Sequence, residues 1–469
     1  MWRKIDDSLE RWYSGPRSKA LLLKGAWQVG KTHSIRKFAH SHYDEIIELN
    51  FNTTPQAKDI FSTSLEADFL IGSLEDFTGR SCKSGRTLIF LDDIHQCLKA
   101  LTALKPLVAD GRFDYIACGA LTGVKYSRRA PYPLGSIDPL TLYPLDFEEF
   151  CVALGTEQST FDYLRGCYER RESVTQSVHQ QMLELFWQYL VVGGMPAVVE
   201  RYADTRDLSE VIALQKDILK LYRKGIRGHA DPKPYTRMLD ILEHLPAHIQ
   251  GTTKRYQLPS FGTNYQERAL EARFVWLRDS RLALACYSLA APVKPLINGE
   301  ETRLFKLYLN DVGLLSTMYL TGKQQALIVK GDFVAEQTGL INNAIACELK
   351  AHGFELRYLH QKNFSDIEFV VEGGGRVLAL AVRTGRDCRR HRALDHALAE
   401  PLWDLEGLVF CPGNCERAEE ITYLPWYMVM FLTPQSLEPP PPVSQPGTSA
   451  PSSRRVSDPA VGRSPDRGR

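Results

Sequence analysis

The sequence has 469 residues, with 57 Lys and Arg against 56 Asp and Glu, a formal net charge of +1. Near-neutrality excludes a basic nucleic-acid coat, and 44% hydrophobic with 24% charged residues excludes a disordered chain. At ~150 residues per domain, about three domains are expected.

The first apolar run, Ala20 to Leu23, leads into a Gly-rich loop. Further strands are expected at Glu45 to Phe51, Thr87 to Leu91, Phe113 to Cys118 and Ile137 to Leu142, with helices at His33 to His40 and Leu98 to Val108. Continuously apolar strands spaced by helices predict α/β structure, a parallel sheet covered on both faces. From about Asp146 to Arg227 the apolar residues recur at helical spacing (Phe147, Phe150, Leu154; Leu183, Phe186, Tyr189, Leu190), interrupted by Gly193-Gly-Met-Pro196. Short helices and then alternating strands follow to Met318, an order that suits a winged helix. A further globular piece runs from about Ile328 to Leu432. Its helix ends near Lys350, and strands are expected at Glu355 to His360, Ile367 to Glu372 and Val377 to Arg383. Order is expected to end beyond Pro434. From Pro439 to Arg469 there are eight prolines, five arginines and no aromatic residue, too little apolar surface to offset the entropy of ordering.

The N-terminal residues MWRKIDD have no apolar core, so no signal peptide is expected. The longest apolar run, Tyr423 to Leu432, is about half the ~20 residues of a spanning helix, so no membrane partner is expected. Ten cysteines are scattered, and only Cys411 and Cys415 lie close together, without two further ligands at zinc spacing. Reduced thiols in a cytoplasmic protein are expected.

Residues 25–32, GAWQVGKT, match the phosphate-binding pattern G-x-x-x-x-G-K-[ST] in its strand–loop–helix setting. The glycines let backbone N–H groups converge on a phosphate, and the helix N-terminus adds its dipole. The expected cofactors are ATP and Mg²⁺. Gly25, Gln28, Val29, Gly30, Lys31 and Thr32 form the nucleotide set, Lys31 reaching the β- and γ-oxygens and Thr32 binding the metal. The run Thr87 to Leu91 ends in Asp92-Asp93. Asp92 is the expected Mg²⁺ partner of Thr32, and Asp93 the carboxylate that orients and deprotonates water; a capping role at the next helix is the plainer alternative. No Asn-Lys-x-Asp guanine signature occurs, which leaves ATP as the expected nucleotide.

These motifs, together with LYPLDFEEF at 142–150, VVGGMP at 191–196, FKLYLNDVGLL at 305–315, SDIEF at 365–369 and LAVRTG at 380–385, resemble a large family of prokaryotic AAA-type ATPases whose core is followed by a domain of unknown function. The resemblance covers about Met1 to Leu432. It implies an AAA-type P-loop core over 1–155, a helical lid over 156–235, a winged-helix-like domain over 236–325 and a restriction-nuclease-like domain over 326–432, before a disordered tail at 433–469. It also implies that Pro196 contacts adenine and that Arg128 or Arg129, with Arg129 preferred, reaches a neighbouring copy's site as an arginine finger; an inter-helix turn and an exposed basic loop are the respective alternatives.

Two positions depart from that family. Asp93 stands where Glu is usual, and Cys118-Gly-Ala120 stands where Ser-Gly-Ser is usual, which leaves a weak donor and none. Slow hydrolysis is expected. In the C-terminal part the resemblance places Asp366 and Glu368 on one strand face, but Ala381 and Arg383 replace the acid and the lysine of the nuclease set, and Glu336 and Asn342 compete for the helical acid. An arginine does not assist a nucleophilic water, so a nuclease fold without nuclease activity is expected. Arg383, Arg386, Arg389, Arg390 and Arg392 form a basic run, read as a phosphate contact or a solvated face. His360, His391 and His396 are read as surface histidines. The expected function is an ATP-dependent switch or motor for a partner, acting on DNA through the winged helix and the Arg383 region, or on a protein or second copy of the chain. The alternative is a nucleic-acid-binding protein with ATP as a structural or regulatory ligand.

Overall fold

The computed structural model describes residues 1–120, 132–229, 232–250, 256–257, 273–332, 337–360, 365–385, 388–418 and 420–438. Arg128, Arg129, Glu336 and Arg386 lie outside them, as does the tail from 439.

The first sheet contains β1 (Ala20–Lys24), β2 (Glu45–Asn50), β3 (Thr87–Asp92), β4 (Asp114–Gly119) and β5 (Ile137–Thr141). All are parallel, in the order β2-β3-β4-β1-β5. Alternate residues feed two cores: Leu21, Leu23 and Phe90 one face, Leu22, Ile89 and Leu91 the other. The second face is covered by α3 (Ala67–Thr78) and α4 (Leu98–Asp110), and α3 carries no expected element. The first face is covered by α1 (Lys4–Ser14) and α2 (Lys31–His42) and merges with the helical region. That region comprises α5 (Phe147–Ala153), α6 (Gln158–Arg170), α7 (Gln176–Val192), α8 (Pro196–Thr205) and α9 (Leu208–His229). Asp146 and Glu149 start α5 by a reciprocal capping box, and Pro196 occupies the first turn of α8, where its missing N–H costs nothing.

After α10 (Pro232–Gln250) and a helical stretch at residues 273–279 (α11), a nine-stranded mixed sheet is built from β6 (Tyr256–Gln257), β7 (Ala283–Leu289), β8 (Glu300–Leu309), β9 (Arg357–Leu359), β10 (Ile367–Gly373), β11 (Arg376–Val382), β12 (Glu406–Cys411), β13 (Glu416–Ala418) and β14 (Ile421–Pro425). Its order is β13-β14-β12-β11-β10-β9-β7-β8-β6. Here β7 pairs with β9, Tyr287 opposite Arg357 and Leu289 opposite Leu359, so one sheet crosses the boundary expected at residues 325 and 326. The helices α12 (Val312–Tyr319), α13 (Gly322–Val329) and α14 (Thr338–Ala351) lie between β8 and β9 in sequence, and α15 (Arg392–Leu398) between β11 and β12. The apolar run Tyr423 to Leu432 is the end of β14 followed by a buried 3₁₀ turn at Trp426–Phe431. The expectation of disorder from 433 is corrected for its first residues: Leu437 is buried, and the chain at Pro434 and Leu437 packs against Gly373 and Gly374. No helix among the described residues is long and apolar enough to cross a membrane.

Candidate functional site

The loop from Gly25 to Gly30 joins β1 to α2 at the C-terminal edge of the parallel sheet, where such folds bind ligands. A Cβ at Gly25 would stand 2.5 Å from the carbonyl oxygen of Leu142, and Gly30 caps α2 at φ +94°, so both positions require glycine. Lys31 is half-buried, and its Nζ donates to the carbonyls of Gly25 (3.1 Å) and Ala26 (2.7 Å). Desolvation lowers its pKa, opposed by the nearby Asp93 and Asp92 carboxylates.

Asp92 ends β3, and four donors converge on its carboxylate. Oδ2 accepts from Thr32 Oγ1 at 3.1 Å and Asn50 Nδ2 at 2.9 Å; Oδ1 accepts from the Asp93 N–H at 2.9 Å and the Cys118 thiol at 2.7 Å. Thus Thr32 and Asp92 stand together, an oxygen pair that suits Mg²⁺. Burial pushes the Cys118 thiol well above its usual range, reinforced by Asp92, and keeps it a donor. Sequence reasoning missed Asn50. Its signal is the register of adjacent parallel strands, which sets Asn50 opposite Asp92. Asp93 has left-handed backbone (φ +52°) before the short turn Ile94–Gln96, and its side chain makes no capping hydrogen bond there. Its carboxylate lies 4.0 Å from His95 Nδ1.

The helical region closes over this loop. A cleft of about 470 Å³ is lined by Gln28, Gly30, Lys31 and Thr32 on one side and Pro196, Ala197 and Glu200 of α8 on the other. Asp311 fixes the turn before α8, accepting from the N–H groups of Gly194 (2.6 Å) and Leu314 (2.8 Å). The Trp27 indole packs toward Tyr222 of α9 and Trp276 of α11, and the Tyr222 hydroxyl donates to the Trp27 carbonyl at 3.2 Å. Arg3 clamps the outer side of the loop, donating to the carbonyls of Val29 (3.3 Å) and Tyr143 (2.8 Å) and to Glu149 (3.0 Å). Beyond Glu149 a buried cluster links α5 to α14: Glu348 accepts from the Phe147 N–H (2.8 Å) and the Tyr189 hydroxyl (3.0 Å). Burial and Asp146 together push Glu348 up to about 7.

The acids expected on one strand face have different partners. Asp366 pairs with Lys306 of β8 at 2.9 Å and His360 at 2.8 Å, whereas Glu368 pairs with Arg383 at 3.2 Å. The Arg383 guanidinium also donates to the carbonyls of Val382 and Arg390, so it is turned inward. Ala381 and Asn342 are buried. Arg389 of the basic run pairs with Glu416 at 2.6 Å. His391 is corrected from a surface residue to a buried one: its ring bonds Asp395 and the Tyr423 hydroxyl, each at 2.7 Å. Among the described residues no group of three or more His, Cys, Asp or Glu side chains could hold a metal ion.

Residues 17–151 match a family model described as an AAA domain, and residues 183–325 match one described as a domain of unknown function (DUF8612). Similar solved structures include the Aeropyrum pernix Orc1 protein in complex with DNA, at 11% identity over 67% of this chain and 90% of that one, with TM-score 0.26. A signal transduction ATPase (STAND) protein with a tetratricopeptide repeat sensor from Pyrococcus horikoshii is 12% identical over 74% of this chain and 48% of that one, with TM-score 0.25. Cdc6p from Pyrobaculum aerophilum is 12% identical over 70% and 93%, with TM-score 0.23. Likeness of that degree carries no functional conclusion. No curated protein matches the sequence. The chain carries an AAA-type P-loop domain, followed by a helical region and a separate mixed sheet.

Proposed function

We propose that the chain binds ATP with Mg²⁺ on the loop from Gly25 to Thr32 and works as an ATP-dependent switch or motor for a partner. The observation that carries this is the 3.1 Å contact between Thr32 and Asp92, two residues far apart in sequence that together suit a metal ion beside a phosphate loop. Mg²⁺, when bound, neutralises the β- and γ-phosphate oxygens. Lys31 exchanges the carbonyls of Gly25 and Ala26 for phosphate oxygens, and the first N–H groups of α2 face the same anion. Pro196, packed over Gly30, covers the adenine end. Asp93 accepts the proton of the attacking water, and Arg129 completes the site of a neighbouring copy.

Turnover is slow in this reading. Asp93 is one methylene shorter than Glu, and the Cys118 thiol is turned to Asp92 rather than toward a γ-phosphate. The second reading, ATP as a structural or regulatory ligand of a nucleic-acid-binding protein, is favoured by the same thiol. The winged-helix-like part and the nuclease-like part then serve docking or DNA contact. Inactivity of the nuclease-like part is supported by Arg383, which neutralises Glu368 and accepts no proton. Ten free thiols suit the cytoplasm.

The test is an ATPase assay with and without DNA, on wild type and Lys31→Ala. Steady turnover lost in Lys31→Ala supports the switch or motor. Tight binding with negligible turnover supports the second reading, and neither binding nor turnover overturns both.

A further inference from the structure

The nucleotide cleft contains one carboxylate among its described lining residues, Glu200. It lies one turn after Pro196 on the same face of α8, so both point toward the cleft. The arginine and lysine side chains around it are committed elsewhere. Arg36 holds Glu48 through Nε (2.8 Å) and Nη2 (2.6 Å). Arg3 spends its donors on Glu149, Val29 and Tyr143, and Lys31 belongs to the phosphate loop. Glu200 has no ion pair or hydrogen bond with any described residue.

A free carboxylate in a cleft built for a triphosphate is repulsive unless the ligand supplies donors to it. A nucleoside triphosphate carries its donors only at the nucleoside: the ribose hydroxyls and the exocyclic amino group of adenine. Pro196, which covers the adenine end in the ATP reading, stands one helical turn, about 5–6 Å, from Glu200 along α8, so Glu200 lies beside the nucleoside rather than the phosphates. We infer that Glu200 is a specificity residue, accepting hydrogen bonds from the nucleoside's donors; this rests on the ATP reading above.

The test is equilibrium binding of ATP, 2′,3′-dideoxy-ATP and inosine triphosphate to the full chain and to Glu200→Ala. Alanine suits an exposed position in α8, so the variant keeps its fold. In wild type, the analogue that lacks the donor Glu200 uses should bind roughly 10- to 100-fold more weakly than ATP. Loss of the hydroxyls identifies the ribose and loss of the amino group identifies the base. In Glu200→Ala that difference should collapse. If wild type binds ATP and the variant keeps the wild-type ratios, or tightens on all three nucleotides alike, Glu200 reads nothing and the inference is wrong. If wild type binds none of the three, the ATP reading itself fails.

Discussion

Gly225 of α9 packs against the phosphate loop, and its substitution by alanine sets two effects against each other. Helix propensity alone favours alanine over glycine in a helix interior by ~1 kcal/mol. A Cβ at Gly225 would, however, stand 2.6 Å from two ring carbons of Trp27, well inside the 3.4–4 Å of ordinary contact. The ring has little room to retreat, with Tyr222 at 6.2 Å and Trp276 at 6.3 Å between centroids and the Trp27 carbonyl held by the Tyr222 hydroxyl. Overpacking of this kind costs ~1–3 kcal/mol, so the net change is a destabilisation of up to ~2 kcal/mol. Because Trp27 lies within the loop, displacing its ring moves the backbone that faces the phosphates, and ATP affinity should fall. Urea unfolding and ATP titration of Gly225→Ala, Trp27→Leu and the double variant separate the terms. With Trp27→Leu as background, the alanine should stabilise by the ~1 kcal/mol of propensity. If Gly225→Ala stabilises the wild type by that amount and leaves ATP affinity unchanged, the packing of Trp27 against α9 is not as described.

Asp93→Glu should raise ATP turnover, because the longer acid reaches further toward the attacking water; a large fall in rate would show Asp93 to be adapted to this site. Plasmid should stay intact with Mg²⁺ or Mn²⁺, because Glu368 is held by Arg383 and Ala381 supplies no ligand; divalent-dependent nicking that vanishes in Glu368→Ala contradicts this. Burial pushes the Asp311 carboxyl from 3.8 up to about 6, so the folded chain holds that proton more tightly than the unfolded one. The stabilisation is fully present below the unfolded value and is lost as pH rises through the folded one, ~3 kcal/mol in all. Asp311→Asn should remove that slope from urea unfolding measured across this window, and an unchanged slope would exclude Asp311 as its source.

The phosphate loop was legible because its chemistry is local: Gly25, Gly30, Lys31 and Thr32 fall within eight consecutive residues, and β3 delivers Asp92 by strand patterning. The partners of these residues were not. Asn50 reaches Asp92 only through strand register, and Cys118 only because β4 lies beside β3. Arg3 reads as an ordinary charge near the N-terminus until the fold brings the Val29 carbonyl and Glu149 to it. The C-terminal sheet was read in pieces because β7 and β9, which join them, are separated by three helices in sequence. His391 was misread because its burial depends on Tyr423, on a strand formed much later in the chain.

The most direct test is a calorimetric titration of ATP with Mg²⁺ into wild type and Lys31→Ala. Saturable binding to wild type, weakened when Mg²⁺ is chelated and lost in a Lys31→Ala variant of unchanged circular dichroism, is the predicted result. Equal binding to both proteins would contradict the assignment of the loop from Gly25 to Thr32 as the nucleotide site.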